Sequence, residues 1–308
     1  MGILRYLRQS ADNMVANARY SLPDCTGSWV ALLVYIVFGL LTSISVIVFP
    51  FDITRNQLLT YIVTIIPPFV YLMLVGRKHR LKARNAGKGG EFGAGNTKEF
   101  KGIPIIEADN GKLSVFSLFF IVTLLTVVLQ IATDPLTSWM TMPDYFKQLL
   151  QSLINGSTGQ IIAIVVAAPL LEELLLRGFI ERGLIYHSGG TKAIIISACI
   201  FGVMHLNPWQ ALPAFIMGLV FGWIYWRTHN LWLTILMHFL TNGTSVITTR
   251  LFPEYSMSDH FLKEIMRDYA GEGAYIILVT ACAVITAALL YFLNRKLSCG
   301  KELFPTTK

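Results

Sequence analysis

Charge is scarce in this sequence. Of its 308 residues only 14% are Asp, Glu, Lys or Arg, while 54% are hydrophobic; an ordinary globular domain carries about a quarter charged residues. With a mean hydropathy of +0.57, this shortage excludes a conventional soluble domain. Cysteine is rarer still. Cys25, Cys199, Cys282 and Cys299 show no CxxC spacing, so neither a disulfide framework nor a thiolate metal site is indicated. No HExxH occurs, and the helix of soluble zinc proteases is therefore missing. No internal repeat is visible. The N-terminal stretch is mixed in character and leads into an apolar run long enough to span a bilayer, unlike a secretory signal. Tyr6 stands where a myristoylation signal needs Ser or Thr.

What the chain does have is apolar runs of bilayer length, roughly 20 residues each. They predict about eight transmembrane helices, near residues 29–49, 58–75, 113–132, 160–186, 193–206, 212–226, 231–249 and 274–292. The fold class is all-α, a polytopic helical membrane bundle. Spans five and six are short, so a re-entrant segment in place of one of them stays open. Pro67-Pro68 should kink the second span. The basic, glycine-rich stretch at 76–112 reads as a flexible linker. Residues 143–155 place Phe146, Leu149, Leu150, Leu153 and Ile154 at helical spacing, as an interfacial amphipathic helix does. An acid-rich loop is expected between the seventh and eighth spans.

Net charge is +7; a basic balance is compatible with nucleic-acid binding, but its placement argues for a membrane protein with no nucleic-acid partner. Eight spans put both termini on one face. That face, with residues 1–28, 76–112, 177–192, 227–230 and 294–308, holds 20 of the 25 Lys and Arg. A four-to-one bias is the positive-inside pattern and makes both termini cytoplasmic. The run at 77–88 is read as this orientation signal, with lipid headgroup binding as a sharper alternative.

Three polar insertions interrupt the fourth to seventh spans: Glu172-Glu173-x-x-x-Arg177, Phe201-x-x-x-His205 and His238-x-x-x-Asn242. Each pairs residues four apart, on one helix face. Glu173 and Arg177 have the favourable acid-first order for an ion pair, which reads as scaffold. Glu172 is rotated about 100° away and needs a partner from another helix. A charge near the bilayer centre costs about 2.5–3.5 kcal/mol, so such a carboxylate is a functional candidate. With His205 facing Glu172, the two can hold a water for which the carboxylate is the base. His238 and Asn242 share a helix face and can stabilise an oxyanion. Alternatively, Glu172, His205 and His238 form a two-His, one-carboxylate set of the kind that binds catalytic zinc. Buried carboxylates and histidines also build proton relays, so an ion-coupled transporter, or a non-catalytic immunity or scaffold protein, stays open at this point. Phe201 reads as packing. His79, His187, His229 and His260 lie in loops or at span ends and receive no role.

The ordered motifs EExxxR, FxxxH and HxxxN, each within an apolar segment, resemble the CPBP family of intramembrane proteases (CAAX proteases and bacteriocin-processing enzymes, also called the Abi family). The resemblance covers about residues 160–245. It implies an eight-helix endopeptidase whose site is reached from the cytoplasmic side. Glu172 matches the water-activating glutamate, His205 its partner on the water, and His238 with Asn242 the oxyanion pair; Glu173 and Arg177 complete the first motif. Both a metalloprotease using zinc and a metal-independent glutamate mechanism are compatible with this resemblance. The domain reading is then a cytoplasmic segment at 1–28, accessory helices at 29–159, a catalytic core at 160–250, and an external loop, last span and tail at 251–308. The implied partners are a membrane-associated peptide or protein substrate and the lipid bilayer. A multi-pass prokaryotic plasma-membrane protein is the expected setting.

Overall fold

A computed structural model describes residues 22–48, 57–86, 111–136 and 138–297. Among these, every long regular element is a helix. In chain order they are α1 (Cys25–Val48), α2 (Gln57–Ala86), α3 (Val115–Thr133), α4 (Asp144–Ile154), α5 (Thr158–Ser188), α6 (Gly190–Met204), α7 (Pro208–Thr228), α8 (Leu231–Leu251), α9 (Phe261–Ala270) and α10 (Ala274–Lys296). All eight expected spans are helical. Six of them, in α1, α2, α3, α5, α7 and α10, are long and apolar enough to cross a membrane. The fold is thus a polytopic helical bundle. α6 has 15 residues, about 22 Å at 1.5 Å per residue, less than a hydrocarbon core of about 30 Å. α8 has 21 residues, but His238, Asn242 and a row of Thr and Ser dilute its apolar character.

Two expectations need correction. α2 passes through Pro67-Pro68 and continues to Ala86, so the first part of the supposed basic linker is helix. Leu, Lys, Arg and Ala are good helix formers, and here they extend the turn beyond the apolar run; residues 87–110 lie outside the described residues. The acid-rich loop before α10 contains α9, a short helix with Ile265 buried. The amphipathic helix expected at 143–155 is present as α4.

α7 holds the bundle together. Its Ala214 and Tyr225 join a core from α1, α2, α5 and α6, while Met217, Phe221 and Ile224 join a second core from α3, α8 and α10. Contacts at the helix ends define two faces. On the first, the Lys112 N–H donates to the Lys296 carbonyl at 3.1 Å, and Arg227 donates to the carbonyls of Asn294 and Leu297, both at 2.7 Å. On the second, Tyr275 donates to Asp134 at 2.7 Å, the Met142 N–H to Asp259 at 2.9 Å, Trp209 to the Thr141 carbonyl at 3.0 Å, and Gln151 to Ser256 at 2.7 Å. Among the described residues, the first face carries Lys112, Arg227 and Lys296; the second carries α4 and α9.

Candidate active site

The first motif lies on a helix that is not regular. α5 contains two wide-turn π stretches, Ala163–Ala167 and Leu174–Glu181, a geometry frequent at functional sites. The first has a cause in the sequence. The Ala168 N–H is taken by Ala163, and the next position is Pro169, which has no N–H to give. The Ile164 carbonyl is left for a side chain, and Asn242 of α8 donates to it at 2.9 Å. One residue of the third motif is thereby fastened to the helix that carries the first.

Glu173 and Arg177 pair as their spacing implies. Arg177 Nη1 donates to Glu173 Oε1 at 2.9 Å, and both side chains are fully buried. Arg177 Nη2 donates to the Gly218 carbonyl at 3.0 Å, and the guanidinium lies over the rings of Phe201 and Phe221. Phe201 is therefore more than filler, because it covers the central cation. One turn further along α5, Glu181 Oε2 stands 3.5 Å from Arg177 Nε. At that length the contact is ionic, not a formed hydrogen bond. The Glu181 carboxylate also accepts from Ser197 Oγ of α6 at 2.8 Å. Sequence reasoning missed Glu181, although its i,i+4 spacing from Arg177 was a visible signal.

Gly222 of α7 makes room for this carboxylate: a Cβ there would stand 2.8 Å from Glu181 Oε2. Since Ser197 and Arg177 hold that carboxylate, it has little freedom to retreat. Gly222→Ala is expected to destabilise the bundle by about 1–3 kcal/mol, the usual range for overpacking. Thermal unfolding in detergent checks this; an unchanged transition would show that the carboxylate swings aside freely.

His238 joins this cluster. Its Nδ1 lies 3.0 Å from Glu173 Oε1. Since an ionised carboxylate only accepts, Nδ1 carries the proton. Nε2 then faces Glu172 Oε2 across 3.9 Å. Phe201 and Phe221 flank the imidazole. Glu172 Oε1 accepts from Tyr61 of α2 at 3.1 Å. Tyr61 was not anticipated, since a lone Tyr in an apolar span reads as an interfacial anchor.

His205 stands at the C-terminal end of α6. Its Nδ1 donates to the Phe201 carbonyl at 2.9 Å, and its ring packs on Phe201 from a centroid distance of 5.2 Å. The helix stops there because Leu206 turns to φ 55°, in the left-handed region, and Asn207 caps α7 ahead of Pro208. His205, His238 and Asn242 all line one cavity of about 270 Å³, together with Gln130, Gln210 and Thr241. The structure thus brings the three motifs together. It shows His238, not His205, in contact with Glu172.

The donor atoms bear on the metal alternative. The Nδ1 atoms of His205 and His238 are held by the Phe201 carbonyl and by Glu173, so only Nε2 of each ring could face a cation. Among the described residues, no group of three or more His, Cys, Asp or Glu side chains is disposed to hold a metal ion. As arranged, Glu172, His205 and His238 do not fit a three-ligand centre.

The cavity lies between Asp134, His205, Gln210 and Ser245, at the second face of the bundle. The resemblance implies access from the cytoplasmic side; the cavity and the helix ends that meet at Lys112, Arg227 and Asn294 lie at opposite ends of the bundle.

Comparison with known proteins falls on the same segment. Residues 154–244 match a family model described as Rce1-like, type II CAAX prenyl endopeptidase Rce1-like. The "Putative membrane peptidase YdiL" of Bacillus subtilis (strain 168) is 31% identical over 106 residues, 34% of this chain and 43% of that protein. The "UPF0177 protein YxdF" of Lactococcus lactis subsp. lactis (strain IL1403) is 28% identical over 127 residues, 40% of this chain and 64% of that protein. The chain spans about half the length of these curated relatives. No solved structure matches. The matches bear out the family resemblance read from the three motifs and support a membrane peptidase.

Proposed function

We propose, from the match of residues 154–244 to the Rce1-like endopeptidase family model and the likeness to a putative membrane peptidase, that this chain is an intramembrane endopeptidase. It hydrolyses a peptide bond of a membrane-associated peptide or protein, with the catalytic core at 160–250. One observation carries this reading: Glu172 and His238 Nε2 face each other across 3.9 Å, while Glu173 holds the far side of the imidazole. A polar gap of that width suits a bridging water. Both groups facing it accept hydrogen bonds, so both hydrogens of the water have a destination and a lone pair is free to attack.

The reaction then runs through this chain's own groups. The water oxygen attacks the carbonyl carbon as Glu172 and His238 together take up one proton. A base oriented by a third group is the general pattern of such sites; here Arg177 positions Glu173, which positions His238. With the proton on Nε2, His238 becomes a donor to the oxyanion. Asn242 adds the Nδ2 hydrogen not used on Ile164. His205 lines the cavity and orients the incoming water through its remaining ring nitrogen. On collapse, the C–N bond breaks and the proton passes to the departing nitrogen.

The test is cleavage of membrane-tethered peptides by the purified protein in proteoliposomes. Asn242→Ala is expected to lower kcat about 10²–10³-fold, the usual loss for one oxyanion donor, in a protein that still folds. Wild-type kcat in that variant would remove Asn242 from the oxyanion site. Absence of any cleavage by the wild type across tethered peptides of varied sequence would remove the protease reading.

A further inference from the structure

We propose that the cavity opens to the extracytoplasmic face, and that the substrate is a peptide segment presented from that side. This rests on the protease reading for what happens in the cavity, but not for where the cavity opens.

The end contacts of the helices fix which residues share a face. Lys112, Arg227 and Asn294 meet on one; Asp134, Tyr275, Met142, Asp259 and Trp209 meet on the other. The cavity belongs to the second. Asp134 closes the last turn of α3, Gln210 opens the first turn of α7, His205 ends α6, and Ser245 lies on the outer half of α8. Asp134 also lines a further hollow of about 250 Å³ beneath α4, with Lys147, Gln151, Trp209 and Asp259. The path from the solvent boundary to His238 therefore runs from α4 and α9 inward, away from the basic face.

Charge decides which face is which. Among the described residues, the second face carries Lys147, Arg250, Lys263 and Arg267, and by sequence order the loop with Arg55 belongs to the same side. Lys147 is tied to Asp259 at 3.0 Å and Arg267 to Asp268 at 2.8 Å. Arg177 counts for neither face, because the structure buries it among carboxylates, and the bias persists without it. Basic loops of this length set orientation, and they stay in the cytoplasm. The cavity wall itself contains no Lys or Arg; apart from its two histidines and Asp134, whose carboxylate accepts from Tyr275, its polar lining is amides and hydroxyls such as Gln130, Gln210, Asn242, Thr241 and Ser245. Such groups recognise an extended backbone and uncharged side chains. A lipidated tail held on the cytoplasmic leaflet would face the wrong end of the molecule.

Accessibility labelling tests this without any cleavage assay. Single cysteines are placed at Gln210 in the cavity, Glu254 on its face and Lys192 on the basic face, in a chain whose four native cysteines are replaced by alanine. A membrane-impermeant maleimide is applied to bacterial spheroplasts and to inverted vesicles. Q210C and E254C are expected to label in spheroplasts, and K192C only in inverted vesicles. The reverse pattern would overturn the orientation. E254C labelled from outside, with Q210C labelled only from inside or not at all, would overturn the access route. Either result leaves Glu172-dependent cleavage standing, and loss of the protease reading leaves the labelling result standing.

Discussion

Glu172→Gln is expected to abolish cleavage while leaving the protein folded. The amide has the shape of the carboxylate and keeps an oxygen to accept from Tyr61, whose hydroxyl is 3.1 Å away. It cannot take a proton from water. General-base catalysis contributes about 10²–10⁴-fold, so kcat should fall by at least that factor with little change in KM or in thermal unfolding. The neighbouring substitution should behave differently. Glu173 is fully buried, accepts from Arg177 and orients His238; Glu173→Gln removes a paired charge and should lower stability as well as rate. Measuring kcat and unfolding of both variants separates the roles. A Glu172→Gln protein that keeps more than about a tenth of the wild-type rate would rule Glu172 out as the base.

The largest effect on stability is expected at Arg177. Its guanidinium is fully buried between Glu173 and Glu181 and covered by two aromatic rings. Arg177→Leu leaves two buried carboxylates facing each other without a cation. Removing one partner of a buried ion pair costs about 3–5 kcal/mol. The variant should unfold at a far lower temperature or fail to accumulate in the membrane. Neutralising the cluster as a whole, with Glu173→Gln and Glu181→Gln added, should recover much of the stability, because the penalty lies in the unpaired charges. It should not recover activity, since His238 loses the carboxylate that fixes its ring. An Arg177→Leu protein as stable as the wild type would show that the carboxylates do not depend on this cation.

Much of the site was legible because spacing on one helix is local information. Glu173 and Arg177 form the pair their four-residue separation implies, and Glu172 does find its partners on other helices. Which partners it finds was not legible. His205 stood out as the natural counterpart, but Leu206, Asn207 and Pro208 end α6 at that point, and the ring turns back onto the Phe201 carbonyl. His238 takes the place beside Glu172 because α8 packs directly on α5, a tertiary fact. Tyr61 comes from a span a hundred residues earlier with no motif to mark it. Glu181 and Ser197 could have been found by following the four-residue period one turn past Arg177. The π turns of α5 were hidden for a different reason. Pro169 marks a missing donor, but only the position of Asn242 shows how the stranded carbonyl is satisfied. At the level of the fold, the apolar runs located all eight long helices among the described residues, while α9 and the basic extension of α2 carry too little apolar length to register as spans.

The most direct measurement is an experimental structure of the protein with a peptide phosphinate bound, since a phosphinate copies the tetrahedral intermediate. One phosphinate oxygen should lie within about 2.6–3.2 Å of the Glu172 carboxylate and the other toward His238 and Asn242, with the peptide leaving the cavity past Gln210 and Asp134. A phosphinate bound elsewhere in the bundle, or bound in this cavity with Glu172 turned away from it, would contradict the account.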